Sequence, residues 1–246
     1  MIKAFVIGIR GKMGGHILSS AESCGFEITG GLDLTASVNP PIFTDPHSVN
    51  VPYDVIIDFS RPAESTLNAI KILCLKKACP AVIATTGYGD KENKEISALS
   101  KSVPIFRSAN FSLGVAAAKA AAKEAQKVLG KLYDVEIVEK HHREKADSPS
   151  GTALMLADAL CGDGKKTVNR SGMRSENEIG ISSVRGGGVI GEHEIGFYGD
   201  DEIVTVTHTA LSRRLFAVGA LKAARFVIGK PPGLYGMDDM ISELTK

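Results

Sequence analysis

Apolar and polar blocks alternate along the first half of the chain in a way that predicts strands and helices in turn. Residues 2–7, IKAFVI, are apolar on both faces apart from Lys3, a pattern typical of a central parallel strand that is covered on both sides. Further strands are predicted at 27–32, 53–59, 81–84 and 103–107, with helices after Gly14 and at 63–77 and 91–100. This alternation predicts an α/β fold with a doubly wound parallel sheet.

The pattern changes after residue 112, where strands begin to follow one another. The predicted elements are helices at 115–129 and from Thr152, strands at 134–139, 179–184, 195–198 and 203–207, and a polar loop at 162–177. Such a run predicts a C-terminal α+β domain with a mixed open sheet at residues 112–212. The amphipathic helix at 213–228 is expected to rejoin the first domain, which then comprises residues 1–111 and 213–246.

The first predicted strand runs directly into a glycine-rich turn, Gly8-Ile9-Arg10-Gly11-Lys12-Met13-Gly14. Strand, glycine turn and helix open a Rossmann-type dinucleotide-binding unit, because the glycines let the backbone approach a pyrophosphate at the helix start. The spacing is GxxGxxG and not the commoner GxGxxG, so a plain strand-to-helix turn stays open as an alternative.

Asp33 ends the second predicted strand 19 positions after Gly14, where an acidic residue commonly takes the ribose hydroxyls. An acid at this position favours NADH, because it would repel a 2′-phosphate. Leu34 offers no cation for that phosphate, although Arg10 and Lys12 in the turn could reach it. We therefore expect NADH and/or NADPH as the cofactor, with a leaning towards NADH.

Small and polar residues follow the remaining strands of the predicted parallel sheet. Phe59-Ser60-Arg61 follows the third strand, Thr85-Thr86-Gly87 the fourth and Ala109-Asn110-Phe111 the fifth. In open parallel sheets, ligands bind at the carboxyl ends of the strands. Any one of these segments could be ordinary turn chemistry, but their recurrence at one edge predicts a ligand site.

Titratable side chains are concentrated in the stretch from Glu136 to Ala153, EIVEKHHREKADSPSGTA. His141, His142 and Lys145 follow the predicted strand within five positions. Histidine and lysine are common general acids and bases, so this spacing indicates proton transfer. A surface histidine pair beside an ordinary solvated lysine stays open as the alternative.

The same stretch contains a candidate anion site. Ser150 is a good N-cap for the helix that follows. The backbone at Gly151 and Thr152 then lies at the positive end of the helix dipole, and Gly151 has no Cβ to obstruct a ligand. Proton donors close to such a site predict a small acidic substrate that is protonated while it is bound.

Composition and charge exclude several classes of partner. The chain has 246 residues, 43% of them apolar and 23% charged, which is ordinary for a globular protein. Its net charge of +1 gives no electrostatic argument for nucleic acid or an anionic membrane. No apolar run reaches the roughly 18 residues that span a bilayer, and the N-terminus lacks the layout of a signal peptide.

The cysteines and histidines do not form a metal-ligand pattern. Cys24, Cys74, Cys79 and Cys161 are scattered without a CxxC pair, which indicates free thiols in a reducing cytoplasm. The segment Gly191-Glu192-His193 supplies a single histidine without further ligands. We predict a turn there, and no metal site.

The stretch EIVEKHHREKADSPSGTA resembles the signature of the dihydrodipicolinate reductase family, also called the 4-hydroxy-tetrahydrodipicolinate reductases. The other segments that resemble the family, in order and at its spacing, are the N-terminal GxxGxMG, DFSRP at 58–62, TTG at 85–87, ANFS at 109–112 and LSRRLFAVGALKAA at 211–224. The resemblance implies an NAD(P)H-dependent reductase of a dicarboxylate, in the diaminopimelate route to lysine. It also implies a cytoplasmic homotetramer that assembles through the sheet of the second domain.

The resemblance further implies a role for individual residues. His141 would be the catalytic proton donor and acceptor, and Lys145 a second proton donor. The implied substrate-binding residues are His142, Ser150, Gly151 and Thr152. The implied cofactor contacts are Gly8, Ile9, Arg10, Gly11, Lys12 and Met13 at the pyrophosphate, Asp33 at the ribose, Ala84, Thr85, Thr86, Ser108, Ala109, Asn110 and Phe111 at the nicotinamide, and Phe59, Ser60 and Arg61 elsewhere along the cofactor.

Two other functions stay open on the sequence. A two-domain sugar or dihydrodiol dehydrogenase would share the fold plan but would not need a tandem histidine pair before PSGT. A nicotinamide-binding regulatory protein would keep the glycine turn and replace the proton donors, whereas His141 and Lys145 are both present. Ala84, Ser108 and Ser148 depart from residues that are common in the family, but they remove no proton-transfer group.

Overall fold

The computed structural model describes residues 1–162 and 164–244. The described strands, numbered β1 to β12, are Ile2–Ile7, Phe26–Leu32, Ile42–Phe43, Val55–Asp58, Ala81–Ile83, Pro104–Arg107, Asp134–His141, Lys165–Val168, Glu178–Arg185, Glu192–Tyr198, Ile203–Thr209 and Gly233–Tyr235. The described α-helices, α1 to α7, are Lys12–Ala21, Ala63–Lys77, Asp90–Leu99, Leu113–Leu129, Gly151–Cys161, Arg214–Val227 and Met237–Leu244. No helix in this part of the chain has both the length and the apolar character that a membrane crossing requires.

The chain divides into two compact units. Unit 1 consists of Met1–Ser112 together with Arg213–Lys246, and unit 2 consists of Leu113–Ser212. Unit 1 is therefore discontinuous in sequence: the chain leaves it after β6 and returns to it with α6.

The strands of the unit 1 sheet are all parallel within the described residues, in the order β12-β6-β5-β4-β1-β2-β3. β1 pairs with β2 on one side and with β4 on the other, so the direction of winding reverses at β1. Open parallel sheets bind ligands in the crevice at such a reversal. The predicted Rossmann-type sheet is confirmed.

Helices cover both faces of this sheet, which explains why its central strands are continuous apolar runs. On one face, Phe5 packs in a hydrophobic cluster with Ile70 of α2 and Ile96 of α3. Val6 points to the opposite face, because side chains alternate along a strand, and it is equally buried. α6 contacts β4, β5 and β6, and it packs against α1.

The sheet of unit 2 is mixed and open, with the strand order β11-β10-β7-β9-β8. β10 runs antiparallel to β7 and β11, whereas β9 runs parallel to β7 and β8. One face of the sheet carries the core: Val135 and Ile137 of β7 pack in a cluster with Ala122 of α4 and Leu156 of α5. The predicted α+β arrangement with a mixed open sheet is confirmed.

The buried face of β7 continues beyond its apolar residues into polar ones. Glu139 and His141 occupy the next two inward positions of the strand, and both are buried. In the strand register, His193 of β10 lies beside Glu139, and Arg185 of β9 lies beside His141. The apolar core of unit 2 therefore ends in a polar cluster at the carboxyl end of β7.

Several short elements differ from the prediction. The loop predicted at 162–177 contains β8, whose residues are largely exposed because an edge strand needs no apolar pattern. β12 is not predicted from the sequence, because three residues are too few to show a strand pattern. It pairs with β6 at the edge of the unit 1 sheet. The prediction of a turn at Gly191-Glu192-His193 was wrong, since β10 begins at Glu192 and includes His193.

Candidate active site

The turn after β1 adopts a conformation that glycine takes most readily. Gly8 has a φ of +79°, and its N–H donates to the carbonyl of Leu32 at 2.9 Å, which ties the turn to the end of β2. The Gly11 N–H donates to the carbonyl of Gly8 at 3.0 Å, and α1 begins at the next residue. α1 thus starts at the carboxyl end of β1, where its first N–H groups can bind an anion.

Gly14 packs against the backbone of this turn, which gives a testable prediction. A Cβ at Gly14 would lie only 2.5 Å from the carbonyl oxygen of Gly8, and backbone atoms cannot move aside cheaply. We expect Gly14→Ala to lower the free energy of unfolding by about 1–3 kcal/mol and to weaken nucleotide binding by about tenfold, because the start of α1 must shift.

Gly15→Ala is the matched control, because a Cβ at Gly15 meets nothing within 4 Å. Alanine also favours a helix over glycine, so this variant should be as stable as the native chain or slightly more stable. Chemical unfolding and titration with NADH measure both properties. Equal behaviour of the two variants would contradict the close approach at Gly14.

Asp33 lies just beyond β2 and binds the glycine turn. Its Oδ2 accepts from the Arg10 N–H at 2.8 Å, and its Oδ1 accepts from the Leu34 N–H at 2.8 Å. The Arg10 side chain is held nearby, since its Nε donates to the Thr35 carbonyl at 3.3 Å. Leu34 is 95% exposed and adds no charge.

A cavity of about 800 Å³ lies within unit 1 at this edge of the sheet, which is a usual volume for a small-molecule or cofactor site. The predicted cofactor contacts that line it are Gly8, Gly11, Lys12, Met13, Asp33, Phe59, Ser60, Arg61, Ala84, Thr85 and Thr86. Ile9 is instead buried in the core, and Arg10 is exposed beside Asp33. The turn glycines and the Asp33 carboxylate fit the pyrophosphate and ribose of a dinucleotide.

Asp58 joins two of the segments that line the cavity, and the sequence patterns did not single it out. Its buried carboxylate accepts from the Ser60 N–H at 3.0 Å and from the Thr85 N–H at 3.3 Å. The Thr85 hydroxyl also donates to the Ser60 carbonyl at 2.8 Å. Burial raises the pKa of Asp58 to about 7, although the hydrogen bonds from Thr85 and Ser60 oppose the rise. Asp58 therefore holds the ends of β4 and β5 together beneath the cavity.

The last predicted cofactor segment, Ser108 to Phe111, forms the turn after β6. The Ser108 hydroxyl donates to the Asn110 carbonyl at 2.6 Å, which closes the turn. Phe111 is buried, and its ring lies 5.8 Å from that of Phe59. Phe111 thus packs in the interior of unit 1, while Ser108, Ala109 and Asn110 lie at the carboxyl edge of the sheet.

Glu139 is the centre of the polar cluster in unit 2, and its side chain is fully buried. Arg185 donates two hydrogen bonds to this carboxylate, from Nη1 to Oε2 at 2.9 Å and from Nη2 to Oε1 at 2.7 Å. Oε2 also contacts Nδ1 of His141, and Oε1 accepts from the Ser150 N–H at 3.1 Å. Burial alone would raise the pKa of Glu139, but the bonds from Arg185 and His141 outweigh it and hold the pKa at about 2. This carboxylate therefore fixes both a histidine and the start of α5.

The contact with Glu139 determines how His141 presents its ring. Because a carboxylate accepts hydrogen bonds, Nδ1 carries the proton of the neutral imidazole and Nε2 is the basic nitrogen. Burial lowers the pKa of His141, and the charges of Lys145 and Arg185 lower it further, while Glu139 opposes both effects. The balance of these effects favours the neutral ring.

Lys145 and His142 lie on the loop between β7 and α5. The Lys145 N–H donates to the His142 carbonyl at 3.2 Å, so the two residues share a tight turn. The Lys145 amine pairs with Asp147 at 2.8 Å. Burial raises the pKa of Asp147, but the bond and charge of Lys145 outweigh it and the pKa falls. The loop thus holds a cationic amine near the Glu139 cluster.

Ser150 is the N-cap of α5, and its hydroxyl accepts from the Ala153 N–H at 3.1 Å. Gly151 is exposed, and a Cβ there would meet nothing within 4 Å, so the backbone at the helix start is open to a ligand. Thr152 follows in the first turn. The structure therefore brings the predicted anion site and His141 into one cluster, through Glu139.

The sequence analysis did not identify Glu139, Arg185 or Asp147 as parts of this cluster. Glu139 had a detectable signal, because it occupies an inward position of a strand whose other inward residues are apolar. Buried acids are rare unless they are paired, so such a position indicates a partner. Arg185 gave no local signal, since only the pairing of β7 with β9 brings it to Glu139.

Comparison with known proteins identifies the family. Residues 2–111 match the family model described as "Dihydrodipicolinate reductase, N-terminus", and residues 114–241 match "Dihydrodipicolinate reductase, C-terminus". A 4-hydroxy-tetrahydrodipicolinate reductase from Clostridium tetani (strain Massachusetts / E88) is 43% identical over 251 residues, which cover 98% of each chain. Another, from Caldanaerobacter subterraneus subsp. tengcongensis, is 44% identical over 252 residues and 99% of each chain.

A solved structure gives the same result. Dihydrodipicolinate reductase from Paenisporosarcina sp. TG-14, with dipicolinate bound, superposes with a TM-score of 0.80 at 27% identity. The match covers 97% of this chain and 99% of that one. The resemblance seen in the motifs is confirmed over both units, and the chain belongs to the dihydrodipicolinate reductase family.

Proposed function

We propose that this chain reduces 4-hydroxy-tetrahydrodipicolinate to tetrahydrodipicolinate with NADH or NADPH, as an oxidoreductase of the diaminopimelate route to lysine. The observation that carries the proposal is the cluster in unit 2, where Glu139 links His141 to the open start of α5. This cluster fits a dicarboxylate that must be held and protonated. A nicotinamide-binding regulatory protein has no need of it.

Unit 1 is proposed to hold the cofactor. The glycine turn would bind the pyrophosphate, Asp33 the adenosine ribose, and the segments after β4, β5 and β6 the nicotinamide end. When bound, NAD(P)H supplies the hydride. The cavity lined by Gly8, Asp33 and Thr85 supports this assignment.

Unit 2 is proposed to bind the substrate and to supply the side chains that donate and accept protons. The start of α5, at Gly151 and Thr152, would bind one substrate carboxylate, and His142 would contact the other polar groups. Hydride addition to a carbon conjugated with the ring imine leaves negative charge on the substrate, which must be met by a proton. Lys145 would deliver that proton from its amine, which the loop before α5 holds near the Glu139 cluster. His141 would hold or relay a proton at Nε2, with Glu139 stabilising the imidazolium whenever it forms.

We propose that the chain prefers NADH, because Asp33 carries a carboxylate and the next residue, Leu34, carries no charge. We expect Asp33→Asn to raise the ratio of kcat/KM with NADPH to that with NADH by about tenfold, because the repulsion of a 2′-phosphate is relieved. Asparagine can still accept from Arg10 N–H, so the turn should be retained. Adding Leu34→Arg, at an exposed position, should raise the ratio further.

Steady-state kinetics with both cofactors would measure these changes. The control is Asp33→Ala, which also removes the acceptor for Arg10 N–H and should weaken both cofactors. A native chain that uses NADPH as well as NADH, with a ratio unmoved by Asp33→Asn, would show that Asp33 does not set the preference.

A homotetramer is proposed to form through the unit 2 sheet. The face of this sheet opposite α4 and α5 carries Val138 and Val184, and Val184 is 48% exposed in the single chain. A packed second sheet would remove this apolar surface from water. Light scattering should then give a mass near four chains of 26.0 kDa, and Val184→Lys should lower it.

A cytoplasmic location is proposed from the cofactor and the cysteines. NAD(P)H-dependent reductions take place in the cytoplasm. Free thiols are typical of the same reducing compartment, and Cys24, Cys74, Cys79 and Cys161 are all free. Fractionation that recovers the chain with cytoplasmic markers would support this location, and recovery from an oxidising compartment would oppose it.

The deciding experiment is the reduction of enzymatically generated 4-hydroxy-tetrahydrodipicolinate, followed through the loss of reduced nicotinamide absorbance. Turnover with either cofactor supports the proposal. Nucleotide binding without turnover would favour the regulatory function, and turnover of a sugar or dihydrodiol alone would favour the dehydrogenase.

A further inference from the structure

His193 is a buried histidine for which the proposed mechanism has no use. It is 5% exposed and shares the inward face of β10 with Ile195 and Phe197. The strand register places it between Glu139 of β7 and His208 of β11. A metal does not account for it, because the described ranges contain no group of three or more His, Cys, Asp or Glu side chains that could hold one.

His193 contacts both functional parts of unit 2. Its Nε2 lies 3.2 Å from the Ser150 hydroxyl oxygen. Its ring stands edge-on to that of His141, with the centroids 5.2 Å apart and the planes at 75°. Since the Ser150 oxygen already accepts from the Ala153 N–H, its own proton is available to Nε2 of His193.

The start of β10 also approaches His141 from a second direction. A Cβ at Gly191 would lie 3.1 Å from Nε2 of His141. Glycine at this position therefore leaves room for the nitrogen that would carry the proton. Gly191 and His193 together enclose the imidazole, which Glu139 holds at Nδ1.

The other nitrogen of His193 shows that stability alone does not explain this residue. Nδ1 is buried and has no hydrogen-bond partner among the described residues. A buried polar atom without a partner destabilises the folded state, and a phenylalanine of similar shape would remove that cost. Histidine therefore stabilises this position less than phenylalanine would. What it adds is the polar contact with the Ser150 hydroxyl, beside its ring contact with His141.

His193 also stays uncharged. Burial, together with the charge of Lys145 and of His141 and His208 when they are protonated, lowers the pKa of His193 to about 4 against the opposing charge of Glu139. A neutral ring can accept from Ser150 without competing with His141 for the carboxylate of Glu139.

We propose that His193 is a positioning residue that fixes the Ser150 hydroxyl and the edge of the His141 ring. It thereby holds the start of α5, which would bind the substrate carboxylate, at a fixed position relative to the His141 ring. This inference rests on the proposed function, because it assigns His193 to the substrate site of the reductase.

Two substitutions separate the two contacts. His193→Phe keeps an aromatic edge against His141 and loses the acceptor for Ser150. We expect it to weaken the binding of dipicolinate, a planar dicarboxylate, by about fivefold while kcat stays within about twofold. Its thermal midpoint should stay within a few degrees of the native value, because an unpaired buried nitrogen is removed with the hydrogen bond.

His193→Gln has the opposite design. Its terminal amide oxygen can replace Nε2 as the acceptor for Ser150, but it has no ring to support His141. We expect dipicolinate binding within about twofold of native and a fall in kcat of about two- to tenfold, the range for an aromatic contact. Calorimetric titration measures the first property, and nicotinamide absorbance the second.

A double-mutant cycle with Ser150→Ala tests the connection itself. Ser150→Ala should weaken dipicolinate binding less in the His193→Phe background than in the native chain, because the shared hydrogen bond is already absent. In the His193→Gln background it should cost as much as in the native chain. If His193→Phe does not fold, His193→Leu, which also lacks an acceptor for the Ser150 hydroxyl, takes its place in the cycle.

The inference is overturned if both His193 variants change binding and kcat alike, if neither changes anything, or if the Ser150 cycle is additive in all backgrounds. Native turnover with any of these results would leave the proposed function intact. A native chain that neither binds dipicolinate nor turns over the substrate would overturn both proposals together.

Discussion

Lys145→Met is expected to lower kcat by about 10²–10⁴-fold, the usual contribution of a positioned general acid. Methionine keeps most of the length of the side chain and removes the amine that pairs with Asp147. Nucleotide binding should persist, because the glycine turn and its cavity belong to unit 1. The effect should therefore appear in kcat and not in the affinity for reduced nicotinamide.

Lys127→Met is the matched control for this substitution. Lys127 pairs with Glu124 on the exposed surface of α4, and such surface pairs contribute little to stability. The control should turn over within about twofold of the native rate. If Lys145→Met retained full kcat, Lys145 would not be the proton donor, and His141 would be the next residue to test.

Glu139→Gln is expected to destabilise the fold by about 3–5 kcal/mol, because it breaks an ion pair whose carboxylate is fully buried and leaves the half-buried Arg185 without its opposite charge. The substitution also places an amide where His141 Nδ1 needs an acceptor, so kcat should fall together with stability. Chemical unfolding and steady-state kinetics measure the two effects. Glu124→Gln, at the exposed pair with Lys127, should cost less than about 1 kcal/mol.

The acid dependence of unfolding provides an independent check on Glu139. Its pKa is about 2 in the folded chain, below the value of about 4.3 in an unfolded one. The unfolded chain therefore binds the proton first as the pH falls, and the stabilisation by Glu139 is full above about pH 5 and lost towards pH 2. The difference in unfolding free energy between native chain and Glu139→Gln should shrink over this range. A constant difference would falsify the assignment of that pKa to Glu139.

The strand, glycine turn and helix at the start of unit 1 could be predicted well from the sequence. β1 is an apolar run followed by glycines, and both signals are local, so strand, turn and helix follow directly from neighbouring residues. Asp33 was found by its distance from Gly14, because the length of one helix and one strand fixes that spacing. The hydrogen bond from Arg10 N–H shows the same proximity in the structure.

The polar cluster of unit 2 could be predicted only in part. His141, Lys145 and Ser150 are close in sequence and were identified together. Arg185 and His193 come from other strands, and their positions depend on the register of β9 and β10 against β7. Register is set by packing across the whole sheet, so no local pattern contains it. β8 and β12 were missed for a related reason, since edge strands this short acquire their structure from the neighbour they pair with.

The discontinuity of unit 1 has a consequence for how the chain is made. Synthesis proceeds from the N-terminus, and the residues of α6 and β12 emerge from the ribosome only after all of unit 2. The sheet of unit 1 cannot gain β12, nor β4, β5 and β6 their contacts with α6, until residues 214–235 have been translated. Unit 2 is continuous in sequence, so in a nascent chain all the residues of the Glu139 cluster are present before the sheet of unit 1 can be completed.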